Sequence, residues 1–120
     1  YYTSFNPDQL KGNQRIGLAY STDRGRTWQY PKDRPIVIEN PGQSENAPGH
    51  WDFRDPKVVW DEVYQRWIMV VSGGDHIRFF TSTNLIDWRW TDNFGYGDYI
   101  RGGVWECPDL FQLPVDDGNT

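Results

Sequence analysis

The sequence predicts an all-β fold assembled from repeated four-stranded antiparallel sheets. Three observations carry this. Runs of β-branched and aromatic residues are broken by Gly, Pro, Asn and Asp, no window of helical length keeps an apolar period, and the same pattern echoes twice along the chain. In one echo, Arg54-Asp55-Pro56 and Glu106-Cys107-Pro108 each precede a strand-like run, and the two prolines are 52 residues apart. In the other, the stretch from Ile16 to Trp28 lines up with that from Ile77 to Trp88, placing Ser21 against Ser82. Radially repeated four-stranded sheets are the blades of a β-propeller.

Taken in order, residues 14–21 and 27–31 are expected to form the outer strands of a first blade. Between them, Ser21-Thr22-Asp23-Arg24-Gly25-Arg26-Thr27-Trp28 fits the S-x-D-x-G-x-T-W pattern of an Asp-box turn. In such a turn the Asp carboxylate accepts backbone N–H bonds, Gly25 takes a positive φ, and Trp28 is expected to pack beneath the hairpin. Residues 40–50 form a polar loop rich in turn formers, either the rim of a substrate pocket or a solvated connector. The next blade, about 54–92, reads as strands at 57–61, 66–72, 76–82 and 87–91, joined by connections short enough for hairpins. Residues 104–113 would then open a third blade. On this reading residues 1–120 are part of a catalytic propeller domain, with the rest of that domain expected on either side.

Composition narrows the function. With seven Trp, seven Tyr and six Phe in 120 residues the chain can bury a core, and it is not disordered. Its net charge of −5 and scattered basic residues argue against a nucleic-acid partner. The longest apolar run, Trp67-Ile68-Met69-Val70-Val71, is far shorter than the roughly 20 residues that cross a bilayer, so no membrane partner is expected. One cysteine excludes an internal disulfide, and His50 and His76 lack metal-ligand spacing, so no zinc site is expected.

The chemistry rests on two carboxylates at matching places in successive blades. Glycoside hydrolysis uses one carboxyl group to protonate the leaving oxygen and another to attack or activate water. Glu106, beside Trp105 and Cys107 at the start of an expected buried strand, is the candidate acid/base, because desolvation raises a carboxyl toward working pH. Asp55 follows Arg54, whose guanidinium would favour the ionised form, and precedes Pro56, expected to hold the chain extended. A permanently charged Asp suits hydrogen bonding to sugar hydroxyls; a plain Arg–Asp ion pair is the structural reading of the same residues. Cys107 is expected to be inert buried packing, and Asp8, in Phe5-Asn6-Pro7-Asp8, is discounted because its order differs from an N-D-P nucleophile motif.

These motifs carry a family resemblance. Tyr2-Thr3-Ser4, Gly25-Arg26-Thr27-Trp28, Phe53-Arg54-Asp55-Pro56-Lys57-Val58 and Gly103-Val104-Trp105-Glu106-Cys107-Pro108-Asp109 occur in this order. Over nearly its whole length the chain resembles the retaining β-fructosidases of glycoside hydrolase family 32, which include invertases, exo-inulinases and levanases. The resemblance implies a five-bladed propeller followed by a β-sandwich, with the active site at the funnel end of the central channel. It implies that Asp55 stabilises the transition state through fructosyl hydroxyls, that Arg54 and Trp105 are substrate-binding neighbours, and that Glu106 is the general acid/base. No metal or organic cofactor is implied; the implied partner is a fructan or sucrose substrate, and the implied location is extracellular. Gly103-Val104-Trp105 ahead of Glu106 is closer to microbial levanases and exo-inulinases than to yeast-type invertases. The family's nucleophilic Asp, within W-x-N-D-P-x-G, has no counterpart here and would lie upstream of Tyr1, so the chain alone is expected to be inactive. A related five-bladed furanosidase and a non-catalytic sugar-binding propeller remain as alternatives at this point.

Overall fold

The computed structural model of the chain describes residues 1–42, 51–95 and 103–113. Among the described residues, seven strands form two antiparallel sheets. The first has the order β1-β2-β3, with β1 at Tyr2–Phe5, β2 at Gln14–Gly17 and β3 at Ile36–Ile38. The second is a meander in the order β4-β5-β6-β7, with β4 at Arg54–Asp61, β5 at Arg66–Ser72, β6 at Ile77–Ser82 and β7 at Arg89–Phe94.

The strand at the heart of the meander is β5, and its sequence explains why. Met69 and Val71 point to one face and Val70 to the other, and all three are buried, as a strand covered on both sides requires. The first face builds the core. Ile16 and Val37 from the first sheet meet Phe53, Met69, Val71 and Phe80 from the second. Phe53 and Phe80 pack edge to face at 5.9 Å, and Tyr1 closes the seam against Trp88 at 5.6 Å. The outermost strand, β7, carries the exposed, charged Arg89 and Asp92, which discourage further pairing along that edge.

The first sheet departs from expectation. The strand expected over 14–21 ends at Gly17, and 27–31 contributes only the isolated bridge between Tyr20 and Gln29. Ile36–Ile38 is the third strand instead. It has Val37 to bury, whereas Trp28 and Tyr30 remain exposed. Leu18 N–H, donating to the Pro35 carbonyl at 2.9 Å, steers the chain to that pairing. In the second sheet β4 begins three residues earlier than expected, and β7 begins later because Asp87 and Trp88 belong to the preceding turn. Residues 103–113, expected to open a further strand, contain none, since no described strand lies alongside to offer a ladder.

The Asp-box turn closes as its sequence demands. Asp23 accepts the Thr27 amide at 2.8 Å and the Thr27 hydroxyl at 2.7 Å, and Ser21 Oγ accepts the Gly25 amide at 2.8 Å, with Gly25 at φ +81°. The turn at 82–87 repeats this arrangement, with Ser82 Oγ accepting the Leu85 amide at 2.9 Å and Asn84 Oδ1 accepting the Asp87 amide at 2.8 Å. Trp28 does not pack beneath its hairpin. It is 61% exposed, because nothing among the described residues covers it, whereas its counterpart Trp88 has Tyr1.

The Thr27 amide and hydroxyl, then Ser21, hold the Asp23 carboxyl down at about 2. A depressed folded value stabilises the fold above the ordinary Asp range and is lost as pH falls through about 2. Acidification between about pH 4 and pH 2 is therefore expected to lower the melting temperature more in the natural protein than in Asp23→Ala. Parallel melting curves across that window would refute this assignment.

Candidate active site

The start of β4 is fixed before any functional group is placed. Phe53 is fully buried, and its N–H donates to Gln14 Oε1 at 2.8 Å, tying the strand to the first sheet. Arg54 pairs with Ser72 and Lys57 with Val70, so three steps on β4 face two on β5 and the strand bulges. Asp55 lies within the bulge at φ +59°, in the left-handed region that Asp tolerates better than most residues. Its N–H donates to Thr3 Oγ1 at 3.0 Å. The expectation that Pro56 holds Asp55 extended is thus corrected, because bonds at both ends of Asp55 overcome the preference set by the following proline.

Across 52 residues, Asp55 Oδ2 accepts the Cys107 N–H at 3.0 Å, with Cys107 Sγ at 3.8 Å from the same oxygen. Cys107 is itself left-handed at φ +49°. The expected Arg54–Asp55 pairing gives way to another. Arg54 ion-pairs with Asp52 and reaches Glu106, its Nη2 lying 3.2 Å from Glu106 Oε1. The left-handed backbone at Asp55 aims its carboxylate at the Cys107 N–H, so the adjacent acid is not the partner of Arg54. The hydrogen bond to Asp52, aided by the one to Glu106 and opposed by burial, holds the Arg54 proton more firmly than usual.

Glu106 and Cys107 differ from expectation in their surroundings. The Glu106 side chain is 64% exposed and Cys107 is exposed, so neither stands at the start of a buried strand and Cys107 is not core packing. Trp105 is half-buried, with its ring centroid 6.1 Å from that of Phe94. Trp105 and Glu106 border a cleft of ≈540 Å³ that also touches Val70, Ile77, Phe79 and Phe94. Lys57 Nζ to Asp109 Oδ1, at 3.3 Å, ties the same segment to β4 a second time. All four residues singled out from sequence thus fall in two short segments, joined by Asp55 to Cys107 and by Arg54 to Glu106. His50 and most of the 40–50 loop lie outside the described residues.

Chemically, this places a solvent-accessible carboxyl group beside a fixed guanidinium, with a second carboxylate held by a backbone amide. Glu106 can exchange protons with water or a leaving group, and Asp55 is oriented to accept hydrogen bonds from hydroxyls.

Residues 1–120 match the family model described as the glycosyl hydrolases family 32 N-terminal domain. The chain belongs to glycosyl hydrolase family 32. This family 32 chain is 74% identical over 116 residues to a levanase of Bacillus sp. (strain L7), covering 97% of the chain and 13% of the relative. It is 40% identical over 130 residues to an extracellular exo-inulinase of Aspergillus niger, covering 99% of the chain and 24% of the relative. Among solved structures, exo-inulinase from Aspergillus awamori superposes with a TM-score of 0.79 at 39% identity, covering 99% of this chain and 25% of that one. The family 32 chain therefore spans a quarter or less of the length of these relatives, and its sheets are part of a five-bladed β-propeller.

Sequence reasoning missed the residues that hold this family 32 site in place. Thr3 and Gln14, from β1 and β2, fix the backbone at Asp55 and Phe53, and Asp52 holds Arg54. Isolated polar residues on short strands carry no spacing signal, so only the assembled sheets reveal them. Buried His76 was weighed only as a metal ligand and Arg78 not at all, although the two stand two residues apart at the start of β6.

Proposed function

We propose that this chain supplies part of the active site of a secreted retaining β-fructosidase acting on levan, inulin or sucrose. The observation that carries this reading is the approach of Glu106 to Arg54 at 3.2 Å, beside the Asp55–Cys107 bond at 3.0 Å. On this reading the carboxyl group that exchanges the proton, Glu106, stands one residue from Cys107, whose amide binds the carboxylate that receives hydroxyls. In this reading Glu106 protonates the departing oxygen while a carboxylate from outside this chain attacks the anomeric carbon, and Glu106 then deprotonates the water that releases fructose. Asp55 binds fructosyl hydroxyls as charge develops at the ring, and Arg54 and Trp105 border the sugar. In domain terms, the three-stranded sheet is the outer part of one blade, the four-stranded sheet a complete blade, and residues 104–113 lead into the next.

Similarity to a levanase supports the fructan substrate, as does a structural neighbour at TM-score 0.73 and 34% identity, a variant fructofuranosidase from Schwanniomyces occidentalis complexed with fructosylnystose, and similarity to an extracellular exo-inulinase supports the secreted location. The deciding experiment incubates the full-length protein with sucrose, inulin and levan and follows the first-formed product by NMR. β-Fructofuranose appearing before its anomers equilibrate is the expected result. Initial release of the α-anomer would overturn the retaining mechanism, and binding without release would mark a lectin-like propeller.

A further inference from the structure

Beside both halves of the site lies a polar group that the roles above do not use. His76 is fully buried and Arg78 is 4% exposed. Arg78 Nε donates to His76 Nε2 at 3.1 Å. A guanidinium only donates, so Nε2 must accept, and the ring proton sits on Nδ1, 3.2 Å from Asp75 Oδ1. His76 is thereby fixed in one orientation and one tautomer, held between an anion and a cation.

From this point two paths lead to the two segments of the site. Gly73 is one. A Cβ there would lie 2.7 Å from His76 Nε2 and 2.8 Å from Arg78 Nε, so the bare glycine lets both side chains rest against the 73–76 turn. That turn is closed by Gly73 N–H to the His76 carbonyl at 2.8 Å, and its Gly74 carbonyl accepts the Trp105 N–H at 2.6 Å, immediately before Glu106. On the other path, Arg78 Nη2 donates to the Gly42 carbonyl at 3.3 Å, and its guanidinium carbon lies 5.8 Å from the centroid of the Phe53 ring, immediately before Arg54. The Gly42 N–H donates to Asn40 Oδ1 at 2.8 Å, and Asn40 Nδ2 donates to the Trp51 carbonyl at 3.0 Å, extending that hold toward the same segment.

We infer that the Arg78–His76 pair is a positioning element that holds the Trp105–Glu106 segment in register with the Arg54–Asp55 segment. A buried charge stabilises a fold little, if at all, compared with an apolar side chain of the same size. What Arg78 adds here is direction, since one planar fork and one ring fix two segments, the start of β4 and the strandless stretch at Trp105–Glu106, that lie about 50 residues apart in the chain. The inference rests on the reading of Glu106 as the proton donor.

The test uses the full-length enzyme and two substrates with the same fructosyl group. Sucrose expels an alcohol that needs protonation, whereas p-nitrophenyl β-fructofuranoside expels a phenol acidic enough to leave unaided. The value of kcat/KM reports the first, fructosyl-transferring step, and the ratio between substrates cancels any loss of folded protein. Arg78→Lys, which keeps the charge but loses the fork, and His76→Leu are expected to lower kcat/KM for sucrose about tenfold or more, with the nitrophenyl substrate changing within about threefold. His76→Gln, whose amide oxygen can replace Nε2 as acceptor, is expected to restore most of the ratio. Should the Leu variant fail to fold, the Lys variant carries the comparison. Equal losses on both substrates, or no loss on either, would overturn the inference. Glu106→Gln measured alongside separates the two readings: selective loss there but not at Arg78 refutes only the positioning role, while no selectivity at Glu106 removes the proton donor and the positioning role together.

Discussion

Glu106→Gln is expected to lower turnover of sucrose by the full-length enzyme about 10²–10⁴-fold, the range that a positioned general acid contributes. The substitution is well suited to the geometry. A Gln side-chain oxygen can still accept from Arg54 Nη2, now 3.2 Å from Glu106 Oε1, so the contact survives while the exchangeable proton is lost. The Glu106 side chain is 64% exposed, so removing its charge should cost little stability. Turnover and melting temperature measured on one preparation separate the two effects. Near-natural turnover would remove Glu106 from the chemistry, and a collapsed melting temperature would make it structural.

Asp55→Asn is expected to lower kcat/KM about 10²–10³-fold, comparable to losing a preorganised polar contact to developing charge. Asn is the informative replacement because Asp55 sits at φ +59°, where Asn is among the few other residues with low strain, and because its side-chain oxygen can still accept the Cys107 N–H. Asp55→Ala would confound the result. It adds a left-handed cost of about 1–2 kcal/mol and loses the cross-segment bond as well. A melting temperature close to natural for Asn and clearly lower for Ala, with both nearly inactive, is the expected pattern; full activity of the Asn variant would show that the carboxylate charge is not used.

Much of the architecture was legible because it is periodic. The apolar run Trp67–Val71 and the repeated Ser21 and Ser82 turns are local signals, and both recur in the structure at the expected places. The first sheet was misread because the Asp-box flank resembles a hairpin, while the three residues of β3 are too short to announce themselves and are chosen by the burial of Val37. The candidate site followed the same division. Arg54, Asp55, Trp105 and Glu106 could be named from their motifs, but the partner of each could not. Arg54 reaches past its neighbour to Asp52 and Glu106 through strand geometry and bulging, which no spacing rule encodes. The buried His76–Arg78 pair was legible only as two polar residues at the head of an apolar strand. Their importance lies in contacts with Gly42 and Gly73, far apart in the chain.

The paired left-handed residues set terms for anyone redesigning this site. Asp55 and Cys107 face one another at φ +59° and +49°, and the Cys107 backbone amide donates to the Asp55 carboxylate. Side chains other than Asn, Asp or Gly at either place meet a backbone penalty before they meet any substrate. A library randomised at Asp55 would therefore carry an added backbone cost in most of its members, a cost that the natural Cys107 already bears at the second position. Diversity is better spent on a neighbour with an ordinary backbone angle, such as the exposed Val104, where new shapes can be tried without disturbing the Asp55–Cys107 bond or the Lys57–Asp109 ion pair.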